Sequence, residues 1–507
     1  MDAGDISVPQ TLAIRQPAVV GGRVVPQPIF YGRLGRDGRP YAPYGPLAAF
    51  FSLPHHLAAR AIARLAGVPR RPLPAGLAWV VLVGGLTMLS SATGAALAVA
   101  GFYRAARLLE AAPPTSLALS LLLGGATVLW PYGTSLYSEG WQAALLIWTA
   151  VFLLRARAGE GRAAANVAAA AGLVAAAGLT KVTAVLFTPW FLAAIVLDRT
   201  APERGRTRAA LAVAAAIGFA IALHLAWNAH RFGDPFDFGY DAAETIPQMP
   251  AQTIRPADIP RGLVVLLATP GKSLLLWAPA LLLACAAFGA FWRRERGAAA
   301  AIALAGASGL VFYAAYLFPE AGYSHGPRPL VPLVPLLLLP AVARPIGTWA
   351  RGAVIACAAP GFAIALTATS VSFLEDQGLG QDLGAPARIS YYERIDPPPG
   401  RPWNRYRLSY IPFVRTLSSG RWPVGDALGH GLDYFPHYLA RARRELRDGA
   451  SIPAWLVWAP PLVWVLLLAA AAAALRRAAR APTMAGWPTP PPSTSPPPSI
   501  SRKSTTR

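Results

Sequence analysis

The sequence predicts an all-α polytopic membrane protein with about eleven transmembrane helices, or twelve if one more lies upstream of residue 1. Three observations predict it. Hydrophobic residues fill 54% of the 507 positions and charged residues only 14%, where a soluble domain carries about 25% charged residues. Apolar stretches near the length that crosses a bilayer, about 20 residues, recur along the chain. Short Arg-rich loops alternate with short loops holding Lys181 and Arg328 at most, the pattern of the positive-inside rule. The same composition excludes other classes. Cys285 and Cys357 each sit in an apolar run and read as small buried hydrophobes rather than a disulfide or metal pair. Apolar content is too high for disorder outside the ends. The net charge of +22 is therefore read as topology first. Basic residues are not interleaved with aromatics on one soluble face, so nucleic acid is not an expected partner.

The expected spans are approximately 77–101, 116–133, 140–154, 164–180, 182–197, 208–228, 273–293, 298–318, 328–343, 352–373 and 454–475. The stretch 164–197 is either one long helix or a hairpin turning near Thr180-Lys181. Arg104 with Arg107, Arg155 with Arg157 and Arg162, Arg199 with Arg204 to Arg208, Arg293 to Arg296, Arg344 with Arg351, and Arg476 to Arg480 then mark the cytoplasmic side. The C-terminus is inside. Residues 1–76 form a first outer loop, with an interfacial helix over about 46–66. Residues 77–373 are the membrane core, with 229–272 outside. Residues 374–453 are an outer loop or small cap, 454–480 the last spanning helix, and 481–507 a disordered Pro/Ser/Thr-rich tail. Nothing before residue 77 resembles a signal peptide, so a spanning helix upstream of Met1 is expected.

Chemistry-bearing residues cluster on the outer side. The cytoplasmic loops contain no P-loop or Gly-rich nucleotide fingerprint, so soluble nucleotides are not expected to drive any reaction. The first outer segment holds Asp2, Asp5 and Tyr44. The second, around Tyr137, places Glu139 at a helix N-terminus, where the dipole favours a carboxylate whether or not it has a further role. The third holds Asn228 and Arg231, then Lys272, one of only two lysines outside the tail. Lys272 could bind an anion or simply snorkel to the interface. The fourth holds His325 and Arg328 at the mouth of a span. An Arg there opposes the positive-inside bias, and its planar, permanently charged head suits a phosphate. No HExxH or Cys/His spacing and no Gly-x-Ser-x-Gly elbow exist.

Together Gly4-Asp5, GRDGRPYAPYGPL (35–47), PYGTSLYSEG (131–140), NAHRFGDPFDFGY (228–240), TPGKSLLLWAPALLL (269–283) and GYSHGPRPLVPLVPLLLLP (322–340) resemble the GT-C superfamily of membrane glycosyltransferases. That group includes protein O-mannosyltransferase-like and aminoarabinose-transferase-like bacterial enzymes. The resemblance covers about residues 1–345. It implies a transferase that moves a sugar from a polyprenyl-phosphate donor to an acceptor hydroxyl at the periplasmic or extracellular face of the bacterial inner membrane. Its acidic hallmark after the first spanning helix matches Asp5, with Asp2 as the near alternative. That carboxylate would take the acceptor's proton. Arg328, Lys272, His325 and Arg231 would hold the donor phosphate. Tyr44, Tyr137 and Asn228 would line the sugar or acceptor. Glu139 would act with the base, orient the acceptor or bind a divalent ion (Mg or Mn). No cofactor is otherwise expected, the partners are the lipid-linked donor and membrane lipid, and the sequence is silent on oligomeric state. The competing readings are a transporter or flippase and an inactive relative. A transporter should carry ionisable residues near the midplane of its spans, where His224 is the best example here.

Overall fold

A computed structural model describes residues 14–20, 23–29, 33–41, 45–71, 77–134, 137–198, 202–239, 254–316, 325–345 and 351–370, together with 347, 349, 414, 443–444, 448–457, 462 and 466. Asp2, Asp5 and Tyr44 lie outside the described residues, as do most of 374–453 and nearly all of the expected last span and tail. The chain divides into Met1–Pro461 and Leu462–Arg507, and the first unit holds every element named below.

The first segment adds two short strand pairs to an otherwise helical chain. β1 (Ile14–Val20) and β2 (Arg23–Ile29) pair antiparallel with Val20 opposite Arg23. Val-rich runs on either side of Gly21-Gly22 are a two-residue hairpin signal, which the composition of the whole chain conceals. β3 (Arg33–Leu34) and β4 (Pro40–Tyr41) form a second, shorter pair. In its turn the Tyr41 hydroxyl donates to Asp37 Oδ2 at 2.7 Å and the Arg39 N–H donates to Oδ1 at 3.1 Å. Those two bonds, the Tyr41 one foremost, hold the Asp37 carboxyl below the usual aspartate range.

The stretch expected to be an interfacial helix is helical, as α1 (Pro46–Leu65), opened by Pro at its first turn. Its faces are reversed relative to a soluble helix. Phe50, Leu57 and Leu65 are exposed, while Ser52, His55 and His56 meet Ser90, Thr93 and Thr87 of the next helix at 3.3, 2.9 and 3.4 Å. An outward apolar stripe is what a helix lying in lipid presents.

That next helix is α2 (Leu77–Leu108), which packs on α1, α3 (Pro113–Gly125) and α5 (Glu139–Arg157). Beyond lie α6 (Ala163–Thr180), α7 (Trp190–Leu197) and α8 (Glu203–Phe232). After them come α9 (Ile259–Ala268), α10 (Leu274–Trp277), α11 (Leu281–Arg294) and α12 (Arg296–Ala314). The described core ends with α13 (Val334–Leu338) and α14 (Arg351–Ser370). Among the described residues, Ala78–Leu108, Ala163–Thr180, Glu203–Phe232, Arg296–Ala314 and Gly352–Thr369 are long and apolar enough to cross a membrane. This is the make-up of a multi-pass membrane chain. Several other expected spans arrive in pieces. The 116–133 stretch is α3 plus α4 (Leu129–Tyr132), and 273–293 is α10 and α11 separated around Pro279. The 328–343 stretch alternates 3-10 turns at Arg328–Leu333 and Leu339–Ala343 with α13. Proline removes an N–H and clashes with the preceding turn, so the breaks in 273–293 and 328–343 fall at or beside one, and the break at 126–128 lies one turn before Pro131. The ambiguous stretch 164–197 takes the second expected form, turning at Thr180-Lys181: α6 starts near Glu160, Lys181 reaches Glu139 at the other end of α5, and the chain returns to place Ala194 and Asp198 against Gly297. α6 stops at Thr180, Lys181 is extended, a 3-10 turn covers Val182–Leu186, and α7 packs on α12 and α8. Within the expected outer loop 229–272, α8 runs on to Phe232 and α9 packs against α12.

Two contacts fix the layout. At the crossing of α2 and α5, a Cβ on Gly94 would lie 2.8 Å from Trp141 N, and one on Gly140 would lie 3.0 Å from Ser91 O. Small residues of this kind let helix backbones touch where no hydrophobic force drives association. At the other end of α5, about 27 Å away by helix rise, Arg157 pairs with Glu295, Arg104 with Glu160, and Arg294 with Glu110. Glu110 closes α2 with φ at +61°, a left-handed conformation that costs a non-glycine residue about 1 kcal/mol. Glu110→Gly is therefore expected to raise the melting temperature in detergent by a few degrees. Its exposed pair with Arg294 offsets only a fraction of that gain. A lowered melting temperature would show that the ion pair, not the backbone, decides this turn.

Candidate functional site

Glu139 begins α5 and is 1% exposed, although its segment faces the poorly basic end of the helix. It does not serve as a simple helix cap. Its Oε1 accepts from Lys181 Nζ at 3.0 Å and lies 3.3 Å from Arg328 Nε. Among the described residues, one carboxylate thus faces two cations. The side chains are 2%, 10% and 17% exposed for Glu139, Lys181 and Arg328, so water screens the cluster little. The second carboxylate oxygen, Oε2, is buried with no hydrogen-bond partner, an arrangement that costs about 1–3 kcal/mol.

Each member is placed by a local feature of the sequence. Gly94 and Gly140 bring the start of α5 against α2, and Ser91 Oγ donates to Tyr137 O at 3.1 Å. Lys181 sits where α6 ends in extended backbone, so its side chain leaves the helix at the level of Glu139. Arg328 opens a Pro-flanked 3-10 turn. The turn before it is clasped: Tyr132 donates its hydroxyl to His325 O at 2.8 Å, and the His325 ring stacks on Trp277 at 5.9 Å. Gly326, at φ +58°, lies so close to Trp277 that a Cβ would be 2.8 Å from its ring, so only glycine fits. The Arg328 guanidinium stands 4.6 Å from the Tyr137 ring centre, a cation–π contact that further orients it.

The cluster borders a pocket lined by Ser52, Ser91, Tyr137, Thr180 and Arg328 among others, about 60 Å³ within an open recess whose free space is about 490 Å³. One wall is α1, held by Phe51 stacked on Trp141 at 4.4 Å and by Ser52 Oγ donating to Ser90 Oγ at 3.3 Å.

Of the residues singled out in the sequence, Glu139, Arg328 and Tyr137 come together here, and His325 supports them through its carbonyl and ring. Asn228 and Arg231 are engaged elsewhere. Arg231 Nη2 donates to Asn228 Oδ1 at 2.9 Å and its head packs on Trp227 and Phe232. Its carbonyl accepts from Arg36 N at 3.0 Å, tying α8 to the first segment. Lys272 is buried in the turn between α9 and α10. Lys181 is the residue the sequence reading missed as a site residue. The available signal was its rarity, one of three lysines, and its place in a short loop otherwise lacking basic residues. Among the described residues, the donor set at Glu139 is a single carboxylate with two cations beside it, which does not suit a divalent ion. Among the described residues, no three His, Cys, Asp or Glu side chains gather as a metal would require.

Comparison with family models and with curated proteins gives no match. Among solved structures the chain is similar to the crystal structure of ArnT from Cupriavidus metallidurans in the apo state. The TM-score is 0.42 and the identity 13%, over 86% of this chain and 68% of that one. A likeness at that level does not place the chain in a family, and what it does has to be argued from the site.

Proposed function

We propose that the chain is an integral membrane glycosyltransferase that moves a sugar from a polyprenyl-phosphate donor to an acceptor hydroxyl at the outer face of the bacterial inner membrane, with its C-terminus in the cytoplasm. The observation that carries this is the pair of cations on one buried carboxylate beside a pocket walled by a lipid-facing helix. When the glycosidic bond breaks, negative charge develops on the lipid phosphate. Lys181 and Arg328 are held in place and poorly hydrated, which is the arrangement that stabilises such a leaving group. Glu139 has Oε1 committed to both cations and acts as their holder. The acceptor's proton goes to a carboxylate of the first segment, Asp5 or its near alternative Asp2. Lys272 and Arg231 are the remaining candidates for contacts along the lipid phosphate, and Tyr44 and Asn228 for the acceptor.

The test uses membranes containing the full chain and radiolabelled polyprenyl-phosphate sugars, reading release of the lipid phosphate, which does not depend on knowing the acceptor. Arg328→Ala is expected to slow release by about 10²–10³-fold, the usual loss when one transition-state donor is removed. Wild-type release from Arg328→Ala at equal protein level would reject the proposal. Asp5→Asn should abolish transfer while leaving donor binding intact.

A further inference from the structure

Three hydroxyls around the pocket are already spent as donors, while Ser138 Oγ there accepts from Gln142 Nε2 at 2.9 Å. Ser91 Oγ donates to Tyr137 O, Thr180 Oγ1 to Ala176 O at 2.7 Å, and Ser52 Oγ to Ser90 Oγ. A hydroxyl has one proton and two lone pairs, so what these three can still offer is acceptor capacity. Glu139 Oε2, buried and partnerless at the same place, is also an acceptor. A ligand matching this wall must bring several donors of its own. The bare phosphate of a lipid brings few and an acyl chain none; a sugar ring brings one per hydroxyl. The aromatic pair Phe51 and Trp141 also lines the pocket, and the apolar face of a sugar packs on such rings.

Building on the donor class proposed above, we propose that the pocket beneath α1 seats the sugar ring of the donor, with Glu139 Oε2 accepting from a ring hydroxyl while Lys181 and Arg328 take the adjoining phosphate. Glu139 then has two tasks on its two oxygens: one holds the cations and the other recognises the sugar. Selection between a charged donor and the spent lipid phosphate follows from the second task, because the spent lipid leaves Oε2 unpartnered again.

The experiment measures binding of two probes to the purified full chain in detergent: dodecyl phosphate, and a panel of hexosyl and pentosyl dodecyl phosphates. Wild type is expected to bind at least one glycoside about tenfold more tightly than dodecyl phosphate. Glu139→Gln should bind dodecyl phosphate more tightly than wild type does, since the site gains a net positive charge, and should lose most of the preference for the glycoside. Thr180→Val, which keeps the cluster and removes one acceptor, should weaken the glycoside severalfold more than the phosphate, and stands in if Glu139→Gln does not fold. Equal weakening of both probes by both variants would make Glu139 and Thr180 structural only and overturn the proposal. Equal wild-type affinity for phosphate and every glycoside would overturn it while leaving the transferase reading in place. Failure of wild type to bind either probe would overturn both.

Discussion

Lys181→Met is expected to be among the most damaging single changes in the chain. Lys181 and Glu139 are both buried, and Arg328 completes the set. Removing one partner of a buried ion pair typically costs about 3–5 kcal/mol because the other is left uncompensated. Here Arg328 remains at 3.3 Å from Glu139, so the loss should fall at the lower end, about 3 kcal/mol. The effect on turnover should be larger than the effect on folding. The site loses one of its two cations, and release of lipid phosphate should fall at least a hundredfold. A melting curve in detergent reads the first and the release assay the second. The double variant Glu139→Gln with Lys181→Met should melt closer to wild type than the sum of the single changes implies, since groups in contact do not add. Additive losses would mean that the two side chains are not coupled, and the cluster would no longer be a unit.

Gly94→Leu should be comparably severe for a different reason. Its Cβ would stand 2.8 Å from Trp141 N and 2.9 Å from the Gly140 carbonyl carbon. Those are backbone atoms at the start of a helix and have no rotamer through which to yield. Overpacking costs about 1–3 kcal/mol when side chains can adjust; a backbone contact sits at the top of that range or above it. The start of α5 must move away from α2, carrying Glu139 away from Lys181, so transfer should fall along with stability. Gly84 of the same helix has nothing within 4 Å of a built Cβ. Gly84→Ala should therefore be neutral or stabilising by up to about 1 kcal/mol. If Gly94→Leu melts like Gly84→Ala, the close crossing does not position the site.

Glu139 and Arg328 were legible because each breaks a rule of its surroundings: a carboxylate between aromatic residues at a span's edge, and an Arg on the side that should lack it. Lys181 breaks the same rule but was set aside as a mark of a turn. Its importance lies in a partner 42 residues away, and spacing along the chain does not reveal such a partner. Lys272 looked equivalent in sequence and is buried in the turn between α9 and α10. The β1–β2 hairpin escaped because a two-residue turn is a local signal, and the class was inferred from whole-chain composition.

The sequence by itself determined the medium and the periodic framework: apolar runs long enough for lipid, Arg at one set of ends, prolines where helices break, and a helix near residue 46. Those are properties of each segment alone, set by hydration cost and backbone geometry. Only the tertiary structure decided which charges meet. Gly94 against Gly140, the extended Lys181 and the Tyr132–His325 clasp are contacts between segments far apart in the chain. They bring one carboxylate and two cations within 3.3 Å, and at that range in a poorly hydrated site the Coulomb term outweighs any local preference of the residues that make it.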